Sequence, residues 1–373
     1  MFVLPERTKG VALLLTALLL AAASAAAAEP ASQRIVFIGD SITDGHTYPL
    51  LVRQALVEAN LPAPVCINAG VAGDTAAGMK ARIERDVLVH HPTLVTLSVG
   101  INDVLRGVKP AGYEADVREI ARQLRERKIP LLVLTTTALG AKHAEADGRL
   151  AEFNAILRKI AAENDYQVAE VNALMQAARS DGAEVLEPDE VHLTFAGYRV
   201  MTRAVLDALG HKEVAVPAEL KAELMPGVVM NWKVRVAPAD QPSLTEKEVA
   251  ELRPDDRWRD LALPESKRLA QWWQDQERQR GFAQSLAEAA GTGQTYQGFA
   301  EITTEKPREV YFNTGAQLSV IWLNGRQIYK SEGWTGWHAG KERVPATLEI
   351  GKNTVIIEAG GSFFLSITDD NDW

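Results

Sequence analysis

The sequence predicts an α/β domain followed by an all-β one, and three observations carry that expectation. From Gln33 to about Gly210, short continuous apolar runs alternate with longer amphipathic ones. After His211 the chain changes to short β-rich runs punctuated by turn residues. All eight tryptophans, from Trp232 to Trp373, lie in the second half, so the halves differ in kind and are not a duplication. With 373 residues, each half is long enough to bury its own core.

The first residues stand apart from both. Arg7 and Lys9 precede an apolar stretch from Val11 that ends in small residues before Glu29, the layout of a signal peptide over 1–28. The 18 residues from Val11 to Ala28 approach the length of a spanning helix, but their second half is nearly all alanine. Cleavage is expected after Ala28, with Ala25 as a second site, which would leave no stable membrane span. The expected location is therefore periplasmic or secreted.

In the first domain, 29–212, the strands are expected at Ile35–Ile38, Val65–Asn68, Leu94–Val99, Leu131–Thr135 and Gln167–Val171. Each is too short and too continuously apolar for a surface helix, which points to strands buried on both faces of a parallel sheet. Helices are expected at Tyr48–Glu58, Ala76–Val89, Tyr113–Arg127, Arg149–Asn164 and Ala196–Leu209. In the third of these, Val117, Ile120, Ala121 and Leu124 recur at helical spacing, with polar residues on the other face. A charged, proline-containing linker follows at 213–225. The second domain, 226–373, reads as an antiparallel sandwich, with turn signals at Asn324-Gly325 and Gly351-Lys352-Asn353 and one helical insert from about Glu265 to Ala290.

Charge and cysteine content exclude some classes of function. With 49 acidic against 40 basic residues the net charge is −9, so no broad basic surface attracts nucleic acid. Cys66 is the only cysteine, so no disulfide can form within the chain, and its apolar neighbours predict burial in a strand. No metal is expected either: His90-His91 precedes Pro92 and has no acidic partner at ligand spacing.

In a doubly wound sheet the chemistry lies at the carboxyl ends of the strands. There the chain places Gly39-Asp40-Ser41, then "NAGVAGDT", then "VGIND", and finally "DEVH" in the last loop. A nucleophilic serine needs a base, a group to orient that base, and donors for the developing oxyanion. Asp189 and His192, three apart, are expected on one helical turn, with the carboxylate holding the imidazole and the other ring nitrogen facing Ser41. The Gly73 N–H, the Asn102 side-chain amide and Ser41's own N–H can serve as donors. Each signal alone is ordinary: a helix cap, a surface pair, a turn. Asp40, Asp44, Asp74 and Asp103 are expected to act as turn acceptors. No Gly-x-Ser-x-Gly elbow surrounds Ser41, which argues against the α/β-hydrolase family.

Together, "GDSITDG", "NAGVAGDT", "VGIND" and "DEVH" resemble the four blocks of the SGNH or GDSL hydrolases, over roughly Gln33 to Gly210. The resemblance implies a three-layer α/β/α sandwich and a serine esterase that needs no metal or other cofactor. It also implies catalytic Ser41, Asp189 and His192 and an oxyanion hole of Ser41, Gly73 and Asn102. Many relatives carry glycine where this chain has Glu190, which is expected to point to solvent.

The second domain resembles the galactose-binding-like jelly rolls attached to many glycoside-active enzymes, through its Trp-x-Asn-Gly hairpin and Gly-Lys-Asn turn. Trp334 and Trp337 either stack on sugar rings or pack the edge of the sandwich. The favoured reading is an esterase that deacetylates an oligosaccharide or polysaccharide. The alternatives are a lysophospholipase or thioesterase acting on longer acyl chains, and a non-catalytic carbohydrate-binding protein.

Overall fold

The computed structural model describes residues 33–45, 47–221, 224–239, 243–261, 280–281, 284–331 and 342–369. The expected signal peptide, Trp334, Trp337 and most of the expected 265–290 insert lie outside the described residues. Only the end of that insert is described, as a two-residue strand and the short helix Leu286–Ala290.

Five parallel strands form the first sheet: β1 (Arg34–Gly39), β2 (Val65–Gly70), β3 (Leu94–Ser98), β4 (Leu131–Leu134) and β5 (Gln167–Ala169), in the order β2-β1-β3-β4-β5. The three central strands are buried almost throughout, as continuous apolar runs require when helices cover both faces. Alternate residues of β1 feed separate cores. Val36 and Ile38 pack beneath helices 76–81, 110–126 and 147–164, while Ile35 and Phe37 face helices 47–58, 171–180 and 195–208. The chain passes from β1 to β2 at the sheet edge and then crosses to β3 on the other side of β1, which puts the switch of direction between β1 and β3.

Two of the expected elements differ in the structure. The helix expected over Ala76–Val89 breaks at Arg82 (φ −114°, ψ 7°) into the short helices Ala76–Ala81 and Ile83–Asp86 and a final 3₁₀ turn. The guanidinium of Arg82 is turned inward there, where it binds the carbonyls of Gly39 and Ala69 at 3.0 and 2.7 Å and the carboxylates of Asp74 and Asp86 at 2.7 and 3.2 Å. The strand expected over Gln167–Val171 stops at Ala169, because Val171 already opens a helix to Ser180 that buries Val171 and Met175. The segment expected as a linker has no regular structure over 212–221 but is held down. Arg199 and Arg203 bind the carbonyls of Pro217 and Val214, and Gln54 bonds both Glu219 and Lys221.

The second sheet is antiparallel and contains β6 (Lys233–Val236), β7 (Arg259–Asp260), β8 (Gln284–Ser285), β9 (Tyr296–Thr304), β10 (Arg308–Leu323), β11 (Arg326–Lys330), β12 (Arg343–Leu348) and β13 (Gly351–Thr368). Where short β-rich runs are expected, β10 and β13 are long strands that pair with each other along nearly the whole length of β10. The pairing shifts register between Ala316 and Val320, and Ala316 adopts φ 53°. β12 pairs with the first half of β10 and β11 with the second. The Asn324-Gly325 turn has positive φ at both residues (50° and 85°), the geometry that favours this dipeptide in a tight hairpin. Trp232 and Phe363 meet edge to face in the main core, and the Trp232 indole N–H donates to the Val229 carbonyl at 2.7 Å. Arg343 Nη2 lies 2.6 Å from His90 Nε2, which joins this half to the first.

Arg82 is almost fully buried, so its removal has a definite expected cost. Arg82→Met takes the guanidinium from Asp74 and from buried Asp86 and removes one donor from each of two strand-end carbonyls, which should lower stability by about 3–5 kcal/mol in urea unfolding. Unchanged stability would show that the cluster contributes nothing net.

Candidate active site

The segment after β1 is shaped by its own carboxylate. Asp40 caps the short helix Ser41–Asp44, with Oδ1 accepting the Ile42 N–H at 3.0 Å. Ser41 is thereby fixed at the first helical position, and its Oγ lies 2.9 Å from His192 Nε2. His192 Nδ1 donates to Asp189 Oδ2 at 2.5 Å, which leaves Nε2 free to accept the serine proton. The three side chains form one hydrogen-bonded chain across 151 residues of sequence.

Asp189 and His192 do not lie on a helical turn, contrary to the expectation from their spacing. They sit in a compact loop where Asp189 Oδ1 accepts the N–H groups of Val191 and His192 at 3.0 and 2.9 Å. The reversal comes from Glu190, which adopts φ 63°, a conformation natural to glycine. Nor does Glu190 point freely to solvent. Its Oε2 accepts the Lys142 N–H at 2.6 Å and its carbonyl accepts the Gly140 N–H at 2.9 Å. Burial opposes ionisation of Asp189, but the bonds from the His192 ring and the two amides outweigh it and hold the carboxyl below its usual range.

The second and third strands bring Gly73 and Asn102 to the same place. Gly73 has φ 76°, and Asp74, next to it, accepts the Asn102 Nδ2 group through its carbonyl at 3.0 Å. Asn102 Nδ2 also approaches Asp40 Oδ2 at 3.4 Å, which ties it to the residue before Ser41. Asn68, in the second block, donates to the Thr43 carbonyl at 2.6 Å and accepts the Gly70 N–H at 2.7 Å. Gly70 is required by contact: a Cβ there would lie 2.2 Å from the Asp44 nitrogen.

The four aspartates act as backbone acceptors, as expected. Asp44 takes the Ala72 N–H, Asp74 the Thr75 N–H and Asp103 the Ala76 N–H. Their placement is deeper than turns usually allow. Desolvation pushes Asp40 up to about 6, Asp44 to about 7 and Asp103 to about 6, despite the amide bonds that favour ionisation. Arg82, in contact with Asp74, was not anticipated, because an arginine in an amphipathic helix reads as surface charge. Cys66 lies on β2 as expected, and desolvation raises its thiol to about 12, so it is no nucleophile near neutrality. Among the described residues no three His, Cys, Asp or Glu side chains gather as a metal site would require, and no helix is long and apolar enough to cross a membrane.

Asp44 makes a pH prediction possible. Its folded value of about 7 exceeds the ordinary 3.8, so the folded state binds the proton more tightly. The resulting stability is fully present below pH 3.8 and is lost as pH rises through about 7. Asp44→Asn should flatten that part of the curve of unfolding free energy against pH, an effect on the order of 4 kcal/mol. An identical slope in the variant would contradict the assignment.

Comparison with known proteins places the first half of the chain. Residues 37–200 match the GDSL-like Lipase/Acylhydrolase family. An acetylxylan esterase of Geobacillus stearothermophilus is 26% identical over 217 residues, spanning 49% of this chain and 97% of that protein. An arylesterase of Vibrio mimicus is 35% identical over 102 residues, 26% of this chain and 50% of that one. Among solved structures, a catalytic mutant of an acetylxylan esterase from Geobacillus stearothermophilus aligns with a TM-score of 0.46 and 23% identity, covering 50% of this chain and 97% of that one. The matched residues 37–200 carry all four strand-end motifs, and it is this part of the chain that is similar to the GDSL-like Lipase/Acylhydrolase family.

Proposed function

We propose that the protein is an exported, periplasmic or secreted serine esterase that removes acetyl groups from carbohydrate. The observation that carries the reading is the continuous chain Ser41 Oγ, His192, Asp189 at the carboxyl end of a parallel sheet. Ser41 Oγ attacks the ester carbonyl as its proton passes to His192 Nε2, and Asp189 stabilises the imidazolium. The tetrahedral oxyanion accepts the N–H groups of Ser41 and Gly73 and the Asn102 amide. The 3.4 Å contact of Asn102 Nδ2 with Asp40 is the weak bond that the oxyanion replaces. The protonated imidazole then releases the alcohol, and water attacks the acyl-serine with His192 again as base.

Two things support acetyl carbohydrate as the substrate. The relative named an acetylxylan esterase aligns over almost its whole length. The second half, read as a galactose-binding-like jelly roll, would hold a sugar chain near the reactive centre, with Trp334 and Trp337 as candidate stacking groups. Neither reading calls for a cofactor.

Ser41→Ala should abolish turnover without unfolding the protein, since it removes one oxygen from a strand end. A fluorophosphonate probe should label the wild type and leave this variant unlabelled, and labelling that survives the substitution would sink the assignment. Acetate release from acetylated xylan, set beside a series of aryl esters of rising chain length, tests the substrate. Activity that grows with chain length would favour the lipid or thioester reading. Asn102→Ala should lower kcat by about 10²–10³ with a smaller change in KM. A change in KM alone would make Asn102 a substrate-binding group instead.

A further inference from the structure

Two guanidinium groups that the mechanism does not use meet the turn after the helix Ile101–Leu105: Arg106 from the turn itself and Arg149 from the helix Asp147–Asn164. The Arg106 N–H is bonded to the Asn102 carbonyl at 2.9 Å, so Arg106 is held one turn from the candidate oxyanion donor. A Cβ built on Gly73 would lie 3.0 Å from Arg106 Nη2, so the guanidinium rests against the second backbone donor as well. On the far side of the same turn, Arg149 Nη2 donates to the Val108 carbonyl at 2.7 Å, and its Nη1 would lie 3.8 Å from a Cβ on Gly107.

Arg106 has no anion, as is true of Arg149, Arg179 and Arg199, but those three bond backbone carbonyls. Arg118, Arg122, Arg127, Arg158, Arg203 and Arg308 all pair with carboxylates, as expected in a chain with an acidic excess. Among the described residues the exposed Arg106 side chain makes no hydrogen bond or ion pair. The nearby acids are engaged elsewhere. Asp74 uses Oδ2 for Arg82 and Oδ1 for the Thr75 N–H, and both Asp103 oxygens face the Ala76 N–H. A cation is thus held open at the mouth of the site, on a protein whose overall field repels anions.

We propose that Arg106 is a specificity-determining residue that binds a carboxylate of the substrate, and that the preferred esters are acetyl groups on uronate units. The proposal rests on the reading of Ser41, Gly73 and Asn102 as the reactive centre. In an acetylated uronate the ester and the carboxylate belong to the same or adjoining rings. With the ester carbonyl between Ser41, Gly73 and Asn102, the carboxylate comes within reach of a long side chain based beside Gly73. The planar guanidinium can take both its oxygens.

The test compares O-acetylated galacturonan oligosaccharides with free carboxylates against the same oligosaccharides as methyl esters, which differ in charge and keep the scissile bond. The wild type should show the higher kcat/KM on the free acid, and that preference should shrink as salt is raised. Arg106→Gln should lower the acid-to-methyl-ester ratio by about three- to tenfold, mainly through KM. Arg106→Lys should restore part of the ratio, and Arg106→Glu should reverse the preference. An unchanged ratio in Arg106→Gln, or an equal fall in kcat on both substrates, would overturn the proposal. Ser41-dependent hydrolysis of an aryl acetate in that case would show that the reactive centre stands and only the carboxylate contact has failed. Aryl acetate hydrolysis undiminished in Ser41→Ala would remove the underlying reading and this one with it.

Discussion

One buried guanidinium fixes the end of the parallel sheet. Where β1 and β2 end, the Gly39 carbonyl accepts the Val71 N–H at 3.0 Å, and the carbonyls of Gly39 and Ala69 converge on one further donor. Arg82 takes both and also holds Asp74, the residue after Gly73. The approach to Ser41 and the approach to Gly73 are therefore referenced to a single rigid plane. A lysine could not reproduce this, because its donors radiate from one nitrogen and cannot span two strands and a carboxylate. The break in the helix at residue 82 places the guanidinium where those groups converge.

Around that plane the structure buries more acid than base. Asp40, Asp44 and Asp103 each hold a loop by accepting a backbone N–H, and each is driven toward its protonated form by the loss of water. The two effects have a joint result. The loops are fixed by strong acceptors, while proton binding lessens the negative charge beneath the place where a tetrahedral oxyanion would form, most in mildly acidic solution. On the outer side, the Asp189–His192 loop is pinned from a different element. Lys142 reaches the Pro188 carbonyl with its ammonium group and Glu190 with its backbone, and His143 Nε2 lies 3.2 Å from the Asp189 carbonyl.

The parallel sheet could be read from the sequence because β1, β3 and β4 are buried on both faces and so are apolar without interruption. The groups at the strand ends could be read because Ser41, Gly73, Asn102 and the Asp189–His192 pair follow strands or close the domain. Other features left no local signal. Glu190 is held in a glycine-like conformation by Lys142, 48 residues away, and nothing near position 190 announces that. Arg82 has the appearance of surface charge until the strand ends it serves are seen. The helix Val171–Ser180 does carry a signal, since Val171, Leu174 and Met175 recur at helical spacing and pack into one core, but the apolar run of β5 leads almost directly into it and hides where the strand ends. Glycines and register shifts interrupt the alternation along β10 and β13, so their sequences look like shorter strands than the ones that form.

The hydrogen bond between Ser41 and His192 spans almost the whole first half of the chain, and this has a consequence in time. Synthesis proceeds from the N-terminus, so Ser41 exists long before its imidazole partner does. The loop that carries His192 is also packed against the start of the helix Phe195–Ala208, whose Tyr198 hydroxyl donates to the Ile42 carbonyl at 3.1 Å. The serine therefore acquires its partner in the same event that docks the last helix of the sheet domain. A nascent or truncated chain that stops short of this helix carries the serine with nothing to take its proton, and the cell is spared a half-made esterase.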